Sequence, residues 1–251
     1  MRSSMTNRFV RRRTLLSVWP ACLLVTCVLC YSFVPSVRAS APAGFRVADP
    51  GKKAFGKTYG EWASDWWDWV LQFPADINPL LDETGGSCDL GDQGSVWFLA
   101  GNFGGTTVRE CSAPAGKAFF FPVFNVISFA PEFGDTVEEI RADANGDIEG
   151  DPDPIISCEI DGVLVDDVFA YRAQTPPGGF LLTTVTLFEA FGLEAGPRDP
   201  AISDGYWLMV EGLGPGEHEI QILATVLDPR PGNRPPLFDL DVTYFLTLGP
   251  E

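Results

Sequence analysis

The sequence predicts a mainly β protein: a β-sandwich, jelly-roll-like or immunoglobulin-like, with one tryptophan-rich amphipathic helix packed on it. Three observations carry this prediction. From about residue 95 onward, apolar residues recur with period 2 in short runs separated by Gly/Pro turns. Only "YGEWASDWWDWVLQF", residues 59–73, has the spacing of an amphipathic helix. The chain has 251 residues, and a 39-residue leader leaves 212, which suits one domain with a full-sized core.

The leader is residues 1–39, with six arginines and no acid. A basic start, an apolar stretch and the small-residue exit Val37-Arg38-Ala39 form a signal-peptide pattern with cleavage before Ser40. Arg12-Arg13 followed by Thr14, Leu15 and Leu16 has the twin-arginine form. Residues 40–57 read as an extended arm, and residues 58–251 as a single helix-plus-sandwich domain. Thr58 with Glu61 makes a capping-box signature, and Pro74 ends the helix that follows. At 100° per residue, Trp62, Trp66, Trp69 and Phe73 fall on one stripe, expected to be buried, with Glu61, Ser64, Asp68 and Gln72 opposite. Trp67 lies about 100° from the centre of that stripe, so it is expected to be partly exposed and to contact ligand.

"SVWFLAG" and "TTVREC" read as strands joined in a hairpin by the glycine-rich "GNFGG". "GKAFFFPVFNVISF" is apolar at both parities, so it reads as a strand buried on both faces, with a bulge or an edge at Pro122. Residues 131–154 and 189–204 are expected to be loops. "IISCEIDGVLVDDVFAY" divides into two strands about the strong turn Asp161-Gly162. "GFLLTTVTLF", "GYWLMVEGL" and "HEIQILATV" follow as strands. In the last strand Phe238, Leu240, Val242, Tyr244, Leu246 and Leu248 face one way, while Asp239, Asp241, Thr243 and Thr247 face the other.

"YGEWASDWWDW", "GSVWFLAGNFGG", "CSAPAGKAFFFPVFN" and "DGYWLMVEGLGPGEHEI…DVTYFLTL", in that order, resemble a family of uncharacterised exported bacterial proteins. The resemblance spans most of the chain beyond the leader. It implies export and a β-rich single domain, and it supplies no reaction, substrate or catalytic residue.

Charge narrows the partners. The chain has 17 basic and 34 acidic side chains, and without the six leader arginines it has 11 basic, a net charge of −23. Such a surface repels nucleic acid and anionic membranes. A glycan or another surface protein remains as a partner. Of the cysteines beyond the leader, Cys88 and Cys111 flank the predicted hairpin and are expected to pair, closing a loop worth about 3 kcal/mol. Cys158 alternates with isoleucines and reads as a buried free thiol.

A single histidine, His218, removes His-rich metal sites and most nucleophile–His–acid triads. It is expected to sit at the inner edge of a strand, satisfied by a backbone hydrogen bond. No GxSxG, Walker, dinucleotide or HExxH motif occurs. Paired carboxylates for glycoside hydrolysis would come from Asp65 and Asp68 or from Asp239 and Asp241; as surface carboxylates these are more ordinary. In "DANGDIEGDPD", Asp143, Asn145, Asp147, Glu149 and Asp151 have the alternating spacing of a calcium loop. The turn glycine is one residue early, however, and Pro154 replaces the closing glutamate. Either a calcium loop or a plain acidic loop fits.

The composition therefore favours a secreted, periplasmic or cell-surface binding or structural module without catalytic activity. A carbohydrate-active enzyme and a calcium-stabilised adhesion or matrix protein are the alternatives. Amino-terminal sequencing of exported protein is expected to begin at Ser40, and replacing Arg12 and Arg13 by lysine is expected to block export. Export unaffected by that double change would indicate the general secretory route.

Overall fold

The computed structural model describes residues 44–151, 153–227 and 236–249. The expected leader, the expected cleavage site before Ser40 and the first residues of the expected arm lie outside them. In chain order the elements are β1 (Arg46–Val47), α1 (Tyr59–Leu71), β2 (Asp92–Gln93), β3 (Val96–Phe98), β4 (Gly105–Pro114), β5 (Ala118–Phe129) and α2 (Val137–Glu149). Then come β6 (Ile155–Ile160), β7 (Val163–Leu164), β8 (Arg172–Gln174), β9 (Phe180–Leu182), β10 (Arg198–Glu211), β11 (Gly216–Val226) and β12 (Phe238–Gly249).

These strands form two sheets, so the predicted mainly β sandwich is the fold. One sheet runs β1-β10-β5-β3-β2, with β8 and β9 also paired to β10; the other runs β4-β12-β11-β6-β7. Each is mixed, because β3 lies parallel to β5 and β4 parallel to β12. Phe119, Phe121, Leu208 and Val210 of the first sheet meet Ile220, Ile222, Val242 and Leu246 of the second in one core. The alternation expected for the last strand is present: Leu240, Val242, Tyr244, Leu246 and Leu248 are all buried.

The opposite face of the first sheet carries α1. Thr58 Oγ1 accepts the Glu61 N–H at 3.2 Å while the Glu61 carboxylate accepts the Thr58 N–H at 2.6 Å, completing the capping box. Past Pro74, the Asn78 amide donates to the carbonyls of Val70 and Phe73, satisfying the helix C-terminus. Trp62, Trp66 and Trp69 are buried as a stripe with Phe98, Phe120 and Trp207. Burying an indole strands its N–H unless an acceptor is at hand. Each of these finds one: Trp62 at Ala54 O (2.8 Å), Trp66 at Leu99 O (2.9 Å) and Trp69 at Leu90 O (2.7 Å).

Four expectations change. "GNFGG" does not close a hairpin: β3 belongs to the first sheet and β4 to the second, so the segment crosses between them. The Cys88–Cys111 disulfide is nevertheless present, with Cα atoms 5.7 Å apart, because the 3₁₀ turn Cys88–Gly91 packs against β4. Residues 131–154 contain α2, begun by a second capping box at Thr136 and Glu139. The 189–204 segment ends in the first residues of β10, and "GFLLTTVTLF" is a strand only over Phe180–Leu182 before a 3₁₀ turn. The turn at Asp161-Gly162 is a hairpin, both residues at positive φ, although its second strand is only Val163–Leu164.

Cys158 is a buried free thiol whose pKa is pushed far up by burial and, secondarily, by Glu159, leaving it unreactive. His218 meets the Gly214 carbonyl at 2.8 Å and Asp161 at 2.7 Å. Among the described residues no helix is long and apolar enough to cross a membrane.

Because Trp66 is completely buried and bonded to Leu99, Trp66→Ala is expected to cost about 3–5 kcal/mol, as deletions of large aromatic core side chains do. The midpoint of urea unfolding measures it; an unshifted midpoint would mean that α1 is not fixed by its stripe.

Candidate functional site

The site grows out of a defect in β5. Pro122 interrupts a strand that is otherwise continuously apolar, and proline cannot donate to a ladder. Opposite it the β5–β10 register slips: Trp207 pairs with Pro122 but Tyr206 with Phe124, leaving Val123 as the extra residue. The slip exchanges the faces. Before it Phe119, Phe121 and Val123 enter the core between the sheets; after it Phe124 and Val126 take that side, and Ile127 and Phe129 join the α1 side. On its other edge β5 pairs with β3 only through Phe120, so beyond that point no described strand covers it.

At this uncovered edge the structure has a cavity of about 320 Å³. Its wall holds five aromatic side chains: Trp66 and Trp67 from α1, Phe103 from the crossing segment, Phe124 from β5 and Phe238 from β12. Phe103 is 49% exposed at the rim, and Leu237, also in the wall, is 61% exposed. Two polar side chains matter. Asn125 follows the bulge, and its Nδ2 is buried without a hydrogen-bond partner among the described residues. Its close seating on β10 requires glycine opposite: a Cβ at Gly205 would lie 2.6 Å from both Asn125 Cβ and the Phe124 carbonyl oxygen. The second is Asp147, from α2.

Trp67 reaches this wall, but not as an exposed indole. It is 6% exposed, edge-on to Trp66, and donates to Ser203 Oγ at 3.0 Å. Periodicity locates the face of α1 that meets the first sheet. It does not reveal that β8, β9 and β10 wrap a second side of the helix, and these enclose Trp67.

Of the residues considered for a calcium loop, Asp143, Asn145, Asp147 and Glu149 lie on α2, a helix and not a loop. Ile140, Ala144 and Ile148, spaced by four, form its buried stripe, and the capping box starts it. In a helix, residues two apart point to different sides, so Asp143 and Asp147 share a side and Asn145 points away from it. Each has its own surroundings. Asp143 accepts from Ser128 Oγ at 2.7 Å, the Asn145 amide meets Gln174 at 2.7 Å, and Glu149 pairs with Arg172 at 2.9 Å. Asp151, beyond the helix, accepts the Leu227 N–H at 2.7 Å. Among the described residues no group of three or more His, Cys, Asp or Glu side chains could hold a metal ion.

The carboxylates considered for hydrolysis also have partners: Asp65 pairs with Lys57, and Asp68 accepts from the Thr183 N–H and hydroxyl. Asp239 accepts from Thr225 and Asp241 from Gln221 across the β11–β12 ladder.

No family model, curated protein or solved structure matches the chain. The site's chemistry therefore rests on its own geometry. Of the residues singled out in the sequence, Trp67 and Asp147 are brought together at the cavity; Phe103, Phe124, Asn125 and Phe238 were missed. "PVFN" was the available signal, a proline in a buried strand followed closely by a lone amide.

Asp147 has no hydrogen-bond or ion-pair partner among the described residues, and its pKa is raised, first by partial burial and then by Asp143 one turn earlier. The folded chain thus holds this proton to higher pH than the unfolded chain does. Its contribution to stability is whole below the ordinary aspartate value of 3.8 and is lost as pH rises through the raised value. Asp147→Asn is therefore expected to raise the melting temperature slightly at pH 7 and to leave it unchanged below pH 3.8. A variant that melts lower than the parent at pH 7 would show that the carboxylate has a stabilising partner.

Proposed function

We propose that the protein is an exported, non-catalytic binding module that holds a small, largely apolar ligand in the cavity beside Trp67. The observation that carries this reading is an open cavity of about 320 Å³ whose wall, among the described residues, includes five aromatic side chains and few polar ones. Its size is that of small-ligand pockets, which are mostly apolar with a few polar groups to fix orientation. Among the described residues nothing in the wall resembles a nucleophile paired with a base, and the free thiol of Cys158 belongs to the core between the sheets.

Gly101 provides the test. It lies in the cavity wall, and a Cβ there would meet only Leu240 Cδ1, at 3.4 Å, so a side chain fits and projects into the space. The neutral fluorescent probe N-phenyl-1-naphthylamine is expected to bind the parent protein with increased emission. Gly101→Leu is expected to abolish that binding while the melting temperature stays within a few degrees. Equal binding by both proteins, or none by the parent, would overturn the reading.

A further inference from the structure

We infer that the cavity selects ligands bearing a basic amine on an apolar body, with Asp147 as the group that receives the ammonium; this rests on the cavity being the binding site. Three independent features converge. The first is position. Among the described residues, Asp147 is the only ionisable side chain in the cavity wall, the rest of which is aromatic, aliphatic or amide. The second is the state of that carboxylate. Asp143 and Asp147 sit four residues apart on α2, where like charges face each other and repel. Asp143 is engaged by Ser128, whereas Asp147 has neither donor nor cation among the described residues. Asp147 is an exposed carboxylate, and a cation in the cavity would relieve its repulsion by Asp143.

The third feature is the wall itself. Indole and phenyl faces attract an ammonium, more strongly where water is excluded. Trp66 and Trp67 pack edge to face at 5.0 Å, and Phe124 lies 5.7 Å from Phe238, so two aromatic pairs contribute to the wall. A carboxylate ligand would meet the reverse: no cationic side chain in the wall among the described residues, Asp147 in that wall, and a strongly acidic chain around it. An alcohol would gain the apolar contacts without the charge-assisted contact.

Three ten-carbon probes that differ only in the head group test this: decylamine, 1-decanol and decanoate, each displacing N-phenyl-1-naphthylamine at pH 7. Decylamine is expected to displace the dye at about tenfold lower concentration than decanol, the size of effect that a partly desolvated ammonium contact gives. Decanoate should be the weakest. In Asp147→Asn, decylamine should fall to the level of decanol while decanol is unchanged, which also shows that the variant is folded with its cavity intact. Equal displacement by amine and alcohol in the parent would overturn the inference and leave the apolar site standing. An amine preference that persists in Asp147→Asn would overturn it as well, assigning the selectivity to the overall acidity. Failure of the dye to bind the parent would remove the cavity reading itself.

Discussion

The antiparallel ladder between β5 and β10 is buried on both faces, and that double burial determines where most other elements go. Over ten register pairs from Phe119–Val210 to Phe129–Ala201, side chains of both parities are apolar for most of the length. A strand pair of this kind cannot face water on either side. The second sheet covers one face, seating its ladder of Ile220, Ile222, Val242 and Leu246 against Phe119, Phe121 and Leu208. The tryptophan stripe of α1 covers the other, where Phe120 stacks on Trp207 with centroids 5.3 Å apart. What the second sheet leaves uncovered, around Ile202 and Val126, is closed by Ile140 and Ala144 of α2. A seven-strand sheet between two layers follows from the composition of two strands.

The same ladder creates the cavity. A two-residue repeat cannot accommodate an extra residue without reversing its faces. At Val123 the reversal places Phe124 where Val123 would otherwise be followed by an outward residue, and it brings Asn125 to the α1 side, next to the tryptophans. Had β3 continued past Phe98, its next residues would have paired with this part of β5 and filled the space. Instead the chain turns at Gly101 and crosses to the second sheet. A bulge and a short neighbouring strand are thus sufficient to leave an aromatic recess in an otherwise packed core.

How much of this was legible follows from which signals are local. The four-three-four spacing of Trp62, Trp66, Trp69 and Phe73, the alternation from Phe238 to Leu248 and the Asp161-Gly162 turn are each contained in a few residues, and each has its expected form. Which sheet a strand joins is not local. Leu99 and Thr106 are a few residues apart, yet they belong to different layers, because β4 pairs in parallel with β12, more than a hundred residues later. α2 was obscured for another reason. Its oxygen-bearing residues alternate in sequence as calcium ligands do, while the weaker signals of helix, Thr136 with Glu139 and the spacing of Ile140, Ala144 and Ile148, are spread over thirteen positions. The cavity was the least legible, since its wall is drawn from α1, β5, α2, β12 and the segment crossing between the sheets.

The two sides of that wall are held by different forces. Gly101, Asn102 and Phe103 follow Ala100, whose carbonyl accepts from Arg109 Nη1 at 2.6 Å and from the Tyr244 hydroxyl at 2.8 Å. Arg109 is almost fully buried, also donates to the Asp82 carbonyl, and neighbours Cys111 of the disulfide. The Asn102 amide in turn donates to Thr107 and Gly105 and accepts from the Gly104 N–H. This side is therefore fixed by directional bonds, buried around Ala100 and Arg109 and more exposed around Asn102. Opposite it, Phe238 and Leu237 meet the cavity through apolar contact, chiefly the Phe124–Phe238 pair. Apolar contacts are not directional, and they permit small displacements that a hydrogen-bonded turn resists. A ligand entering between Trp67 and Phe238 would consequently be accommodated on the β12 side, while the Asn102 side keeps its shape and defines where the ligand ends.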